Sequence, residues 1–224
     1  MQEKTRKEKS FMYYGSWNVC TLQDNPKNPE RKTEIVARVL SSLRIDIAAL
    51  SETRFPDEGH LDEIGGDYKF FWSARPGAEA RHAGVGFANI KLKLARNLES
   101  SPIGISDRLM TLRIEIEKGK HATLNSAYAP TMTNSDEVKE QFYEDLRSIL
   151  AEAPSTDKIL LLGDFNARVG NNSDAWPSVI GCHRNGKINS NGLLLLSLCS
   201  EFELGITNTM FRLQNKYKGT WPHP

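Results

Sequence analysis

Apolar positions recur with a helical period in two long segments of the chain. Residues 30–44 and 135–152 both carry this pattern, which predicts amphipathic helices. The apolar stripe of the first is Ile35, Val39, Leu40 and Leu43, and that of the second is Val138, Phe142, Leu146, Ile149 and Leu150. A third, fully buried helix is predicted over 191–202, which carries leucine at positions 193–196 and 198.

Segments rich in β-branched and aromatic residues lie between these helices. A first strand is predicted over 11–20 and a buried second strand over 45–50, so that the chain begins with a strand-helix-strand unit. Partial alternation of period two predicts an antiparallel section in the middle third, with a hairpin turn at 117–120 and strands at 68–73, 84–90, 108–117 and 121–127. A buried strand at 159–162 is followed by a polar loop at 167–189, and two short strands are predicted at 204–207 and 217–221.

Composition restricts the class of protein. A length of 224 residues without a Pro/Gly/Ser-rich linker predicts one α/β domain over 11–224, preceded by a disordered charged arm at 1–10. Lys and Arg number 29 against 28 Asp and Glu, so any binding of a polyanion must use a local basic patch. Three cysteines without paired spacing indicate a reduced intracellular compartment. We expect that compartment to be nuclear rather than cytoplasmic, and no apolar run predicts a membrane span.

Polar side chains stand at the ends of four predicted strands. These are Asn18, Glu52, Tyr128, and the pair Asp164 and Asn166. Each alone has an ordinary explanation, as a turn residue, a solvated charge or a half-buried packing residue. Because neighbouring strands bring their ends to one edge, the set together predicts a site there.

Asp164 and Asn166 are the most informative pair. On an extended backbone, side chains two positions apart point the same way, so the two could share one phosphate or one metal-bound water. Phosphodiester hydrolysis requires such an arrangement. His82, His121 and His183 lack ligand spacing with each other or with the cysteines, which argues against a zinc site.

Several ordered motifs resemble the endonuclease/exonuclease/phosphatase superfamily. They are Trp17-Asn18-Val19, Ser51-Glu52-Thr53-Arg54, Gly84-Val85-Gly86-Phe87, Asp107-Arg108, Ala127-Tyr128-Ala129-Pro130 and Gly163-Asp164-Phe165-Asn166. Further stretches, 189–193, 206–209 and 219–221, resemble the apurinic-type endonuclease domains of non-LTR retrotransposons and of the related craniofacial development protein 2 group. The resemblance implies a four-layer α/β sandwich of two mixed β-sheets flanked by helices.

The resemblance also implies a divalent-metal phosphodiesterase that nicks DNA through contacts with its phosphate backbone. Glu52 would be the principal ligand of Mg²⁺, or of Mn²⁺, with Asn18 and Asp164 beside it. Asp164 would orient or deprotonate the attacking water, and Asn166 would hold the phosphate or the water in line. Tyr128 would hydrogen-bond the scissile phosphate or steady Asp164.

Three more residues are candidates for substrate binding: Arg108, Asn208 and Trp221. Arg108 could instead pair with the adjacent Asp107, and the sequence leaves the two possibilities equal. Trp221 could meet DNA, but a place in the core is the stronger expectation because tryptophan is mostly buried.

The family pattern continues beyond Trp221 with an Asp-containing strand and an Asp-His pair, which the sequence to Pro224 lacks. We therefore expect the fold to lack its last strands, with an open sheet edge. Losing a proton-transfer group costs about 10²- to 10⁴-fold in rate, so we expect impaired or absent activity. Two alternatives stay open: a lipid or nucleotide phosphatase on the same fold, and a non-catalytic remnant with a binding role.

Overall fold

A computed structural model describes residues 11–27, 29–75, 83–89, 98, 101–183, 186–212 and 214. The predicted arm at 1–10 and the predicted strand at 217–221, with Trp221, lie outside the described residues. Three α-helices are described: α1 (Lys32–Ser42), α2 (Asp136–Glu152) and α3 (Ser190–Glu201). No helix in these ranges is both long enough and apolar enough to cross a bilayer.

The described strands form two mixed sheets. Sheet A contains, in spatial order, β1 (Tyr14–Asn18), β2 (Ile47–Ser51), β5 (Val85–Asn89), β4 (Tyr68–Ser73) and β3 (Glu58–Glu63). Sheet B contains β6 (Ile103–Gly104), β7 (Leu109–Glu117), β8 (Lys120–Tyr128) and β9 (Lys158–Asp164). The pairs β1–β2 and β8–β9 are parallel, and the other neighbours are antiparallel.

Three apolar clusters hold the layers together. The inner faces of the two sheets pack against each other through residues such as Phe87 and Leu124, both fully buried. Helix α1 covers the outer face of sheet A, and α2 and α3 cover that of sheet B. The order helix, sheet, sheet, helix confirms the predicted four-layer α/β sandwich.

The face that α1 buries differs from the predicted stripe. Thr33, Val36, Ala37 and Leu40 are buried, whereas Leu43 is 63% exposed. The reason is tertiary, because Gly66 approaches the helix so closely that a Cβ there would lie 2.4 Å from the Ala37 side chain. Small residues are needed at that contact, so the helix presents the side that carries Ala37 there.

Other expectations also fail locally. The strand predicted at 204–207 is wrong: Ile206 makes a single bridge to Ile180, and a 3₁₀ turn, Thr207–Thr209, follows. Strand β3 was not predicted, because its polar sequence shows no apolar period. Val138, which belongs to the apolar stripe predicted for α2, is 45% exposed. Leu193 is 51% exposed, so α3, which was predicted to be fully buried, is buried along one side only.

Candidate active site

The two parallel strand pairs end at the same place. In sheet A, Asn18 stands beside Ser51 at the carboxyl ends of β1 and β2, and Glu52 follows. In sheet B, Tyr128 stands beside Asp164 at the carboxyl ends of β8 and β9. Because the sheets pack face to face with β1 near β9, the four strand ends form one polar cluster between them.

Asn18 connects the two sheets within this cluster. Its Nδ2 donates to Glu52 Oε1 at 2.9 Å and to Asp164 Oδ2 at 3.0 Å. Its Oδ1 accepts from the Cys20 backbone N–H at 3.0 Å, which fixes the orientation of the amide. Two carboxylates that are 112 positions apart in the sequence therefore converge on a single amide nitrogen.

Glu52 is held as a carboxylate. Its φ of 58° turns the chain sharply after β2, and its side chain is only 16% exposed. Three side chains donate to it: Asn18 and Tyr128 to Oε1, and Arg54 to Oε2 at 2.8 Å. Burial works to raise the pKa of Glu52, but these donors outweigh burial, and the pKa lies below its ordinary value.

Tyr128 remains a neutral phenol in this cluster. Burial raises the pKa of Tyr128 far above its ordinary value, and its hydrogen bond to Glu52 adds to the shift. The hydroxyl donates to Glu52 Oε1 at 3.0 Å. The hydrogen bond found joins Tyr128 to Glu52, and its expected contact with the phosphate or with Asp164 stays a prediction.

The geometry predicted for Asp164 and Asn166 differs from the one found. Strand β9 ends at Asp164, and Asn166 has a φ of 48°, so the two side chains are not on one extended face. Asp164 Oδ1 accepts the Asn166 backbone N–H at 3.0 Å, while Asn166 Nδ2 donates to the Ala129 carbonyl at 2.9 Å. The Asn166 side chain thus ties the β9 turn to the end of β8.

Arg108 lies against Tyr128 and is not paired with Asp107. Its guanidinium carbon is 5.1 Å from the centre of the Tyr128 ring, and its Nη1 donates to the Tyr128 carbonyl at 3.2 Å. The Asp107 carboxylate accepts from Arg75 Nε at 2.9 Å. The sequence left open whether Arg108 pairs with Asp107 or lies near the site, and the structure places it near the site, against Tyr128.

The other two predicted substrate-binding residues are not brought into the cluster. Asn208 is exposed in the 3₁₀ turn, and none of the hydrogen bonds found among the described residues joins it to the strand ends. Trp221 lies outside the described residues. The proposed roles of all site residues stay predictions.

Three residues of the site were missed as candidates: Arg54, Asn189 and Asn191. Asn189 caps α3 through the Gly192 N–H at 2.8 Å and donates to the Asn166 carbonyl at 3.0 Å. The fully buried Asn191 donates to the Pro130 carbonyl at 2.8 Å. The sequence signal for Asn189 and Asn191 is the motif at 189–193, and that for Arg54 is the motif Ser51-Glu52-Thr53-Arg54.

Comparison with known sequences identifies the family. The sequence model of the Endonuclease/Exonuclease/phosphatase family matches residues 15–222. The chain belongs to the endonuclease/exonuclease/phosphatase family. It is 30% identical to craniofacial development protein 2 of Bos taurus over 223 residues, and 28% identical to that of Tragulus javanicus over 226 residues. All of this chain is covered in both cases, but only 35% and 36% of those proteins.

Solved structures show the same family fold. The AP endonuclease LMAP of Leishmania major matches 84% of this chain and 65% of its own with a TM-score of 0.54 at 14% identity. The Xenopus laevis APE2 catalytic domain matches 80% of this chain and 65% of its own with a TM-score of 0.51 at 18% identity. At these identities the likeness concerns the fold alone.

Members of this family generally use divalent metal ions, and the cluster fits such an ion. No group of three or more His, Cys, Asp or Glu suited to a metal occurs in the described ranges. Glu52 and Asp164 instead offer two carboxylates bridged by the Asn18 amide. Hard divalent cations bind carboxylate oxygens and keep several waters, so two carboxylates at this edge could hold such an ion.

Proposed function

We propose that this chain is the phosphodiesterase domain of a DNA-nicking, Mg²⁺- or Mn²⁺-dependent endonuclease. The observation that carries the proposal is the convergence of Glu52 and Asp164 on Asn18 Nδ2 at the joint end of both sheets. Membership in the family supports hydrolysis of phosphate esters. The choice of DNA rests on the resemblance to retrotransposon endonuclease domains.

Glu52, with Asp164 beside it, would hold the metal, and the Asn18 amide, whose Nδ2 donates to both carboxylates, would position them. Bound there, the ion would polarise the phosphate and stabilise the charge that develops on its oxygens. The low pKa of Glu52 keeps its carboxylate ionised at neutral pH, ready for a cation. The Tyr128 hydroxyl keeps that carboxylate oriented, because it stays protonated and donates to Oε1.

Asp164 would orient the attacking water and accept its proton. Its Oδ1 is fixed by the Asn166 N–H and its Oδ2 by Asn18, so the carboxylate has one orientation. Fixed groups of this kind lower the cost of reorganisation during reaction. The Asn166 amide, anchored to the Ala129 carbonyl, would hold the phosphate or the water at the same edge.

Two arginines supply the local positive charge that a polyanion needs. The net charge of the chain is only +1, so long-range attraction of DNA is weak. Arg54 and Arg108 nevertheless lie directly against Glu52 and Tyr128. Guanidinium groups bind phosphate oxygens with two parallel donors, which supports a phosphate backbone as the substrate.

The test combines binding and turnover. Calorimetric titration with Mn²⁺ and nicking of supercoiled plasmid with Mg²⁺ are measured for the wild type, for Asp164→Ala, and for Asp145→Ala as a control on α2. Metal binding is measured beside nicking, so that the proposed metal site has a readout that does not depend on turnover. We expect Asp164→Ala to weaken Mn²⁺ binding and to lower any nicking by about 10²- to 10⁴-fold.

Asp145 accepts only from Gln141 on its own helix among the hydrogen bonds found in the described residues, so Asp145→Ala should match the wild type. Equal Mn²⁺ affinity of the wild type and Asp164→Ala would contradict the proposed metal site. Hydrolysis of a phosphoinositide or a nucleotide without plasmid nicking would contradict the choice of DNA.

A further inference from the structure

Arg54 is fixed by its backbone beside Glu52. Its φ of 55° is left-handed, its N–H donates to the Ala83 carbonyl at 3.1 Å, and its carbonyl accepts from Gln23 Nε2 at 2.6 Å. A left-handed conformation is uncommon for a long side chain and persists only where the surroundings enforce it. The backbone of Arg54 is therefore held in place at the edge of the cluster, and its side chain extends from there.

The guanidinium contacts one oxygen of Glu52. Nη2 lies 2.8 Å from Oε2, whereas Oε1 already accepts from Asn18 and Tyr128. Since each carboxylate oxygen has two lone-pair positions, Oε1 is saturated by its two donors, and a cation on Glu52 has to bind at Oε2 beside the positive guanidinium. A cation bound to Glu52 Oε2 would therefore lie next to the Arg54 guanidinium.

The rest of the Arg54 side chain is not fully engaged. The side chain is 40% exposed, and its Nε is buried without a hydrogen-bond partner among the described residues. A buried donor without a partner costs free energy, so the side chain gains a hydrogen bond if it moves to a ligand that accepts from Nε. With 40% of its side chain exposed, Arg54 stands at the surface of the cluster, where a ligand from solvent would arrive.

We infer that Arg54 couples metal binding to substrate binding: the metal and the guanidinium compete for Glu52 Oε2, and the displaced guanidinium binds a substrate phosphate. The inference rests on the proposed function and adds to it the residue that senses whether Glu52 carries a cation. The physical reason is charge repulsion between a guanidinium and a divalent ion on the same carboxylate. A phosphate restores a partner for the guanidinium, with the paired donors that arginine uses for phosphate.

The first measurement is Mn²⁺ affinity by calorimetry for the wild type, Arg54→Gln and Arg54→Lys. Arg38→Gln is the control, because Arg38 lies on the outer helix α1, pairs with Glu30, and has a side chain 49% exposed against 40% for Arg54. Removing the competing guanidinium should tighten Mn²⁺ binding in Arg54→Gln by about two- to fivefold, the range expected for a part-exposed ion pair. Arg38→Gln should leave Mn²⁺ affinity unchanged.

The second measurement is the salt dependence of binding to a phosphorothioate-linked DNA duplex, which resists cleavage. With Mn²⁺ present, Arg54→Gln should reduce the slope of log affinity against log salt by about 0.9, the value for one lost phosphate contact. With EDTA in place of Mn²⁺, the slope should be the same in the variant and the wild type, because Arg54 then pairs with Glu52.

Opposite changes in the two measurements support the coupling. Unchanged or weaker Mn²⁺ binding by Arg54→Gln overturns it, and so does an unchanged salt slope in Mn²⁺. If the wild type itself binds no Mn²⁺, the proposed function fails, and this inference fails with it. Arg54→Lys keeps the charge, so it should keep the wild-type Mn²⁺ affinity and salt slope, and a gain in affinity as large as that of Arg54→Gln would overturn the coupling. Should circular dichroism show that Arg54→Gln does not fold, Arg54→Met, which also removes the charge, decides on the same two outcomes.

Discussion

Replacing Asn18 by alanine tests whether one amide holds the two halves of the candidate site together. The side chain makes three hydrogen bonds: to the carboxylates of Glu52 and Asp164, and from the Cys20 N–H. A bond to a charged group contributes about 1.5–3 kcal/mol and a neutral one about 0.5–1.5 kcal/mol. Because the site is only half-buried, the lower ends apply, and the two bonds to carboxylates alone predict that Asn18→Ala lowers the free energy of unfolding by about 3 kcal/mol.

The loss should depend on pH. The pKa of Glu52 is lower in the folded state, so the stability from its ionised form is present above the unfolded pKa and is lost as pH falls through the folded pKa. Without Asn18, the folded pKa rises toward the unfolded value and that stability shrinks. The difference between variant and wild type should therefore be largest at neutral pH and should diminish at about pH 3, below the ordinary carboxyl range.

Urea unfolding at both pH values measures the effect, with Asn25→Ala as the matched control. Asn25 is exposed, and its Oδ1 accepts from the Lys27 N–H without involving a carboxylate. The control should cost about 1 kcal/mol or less at either pH. At neutral pH the melting temperature of Asn18→Ala should fall by about 6–12 °C, from about 2–4 °C per kcal/mol for a domain of this size. An effect no larger than that of Asn25→Ala, or one independent of pH, would refute the reasoning.

Three further predictions concern groups that hold the site in place. Gly163→Ala should prevent stable pairing of β9 with β8, because a Cβ there would lie 1.9 Å from the Ala127 carbonyl oxygen. Far-UV circular dichroism should show loss of structure in this variant. The control Gly119→Ala, with open space around the added Cβ, should cost about 1 kcal/mol. Tyr128→Phe removes a donor to Glu52, so carboxyl NMR titration should show a higher pKa for Glu52, and an unchanged pKa would contradict the bond. Asn189→Ala should lower the free energy of unfolding by about 2 kcal/mol in thermal unfolding, because it removes the cap of α3 and the hydrogen bond to the Asn166 carbonyl. Asn189→Ser should restore the cap but not the bond to Asn166. Equal losses of stability in the two variants would contradict this division between cap and hydrogen bond.

Local pattern predicted most of the described elements. The prediction of strand 68–73 coincides with β4, and helix 135–152 lies within one residue of α2. These segments succeed because their own periodicity and flanking residues agree with the burial they find in the fold. The strand predicted at 204–207 fails because short apolar runs have no period of their own, and whether they pair depends on a neighbour.

The sequence by itself determined the fold class and the residue types at the strand ends, because periodicity and ordered motifs are properties of neighbouring positions. It also determined that any polyanion must be met by a local patch, since charge is a sum over residues. These properties can be derived from the sequence without knowing which strands are neighbours in the sheets.

Only the tertiary structure decided which groups touch. The contact of Asn18 with Asp164 spans 146 positions, and it exists because two sheets pack with their parallel pairs ending together. The left-handed turns at Glu52, Arg54 and Asn166 then set where each side chain points, so Asn166 reaches the end of β8 and Arg54 reaches Glu52. Such backbone conformations arise from the packing around them, and no pattern of apolar and polar residues along the chain specifies them.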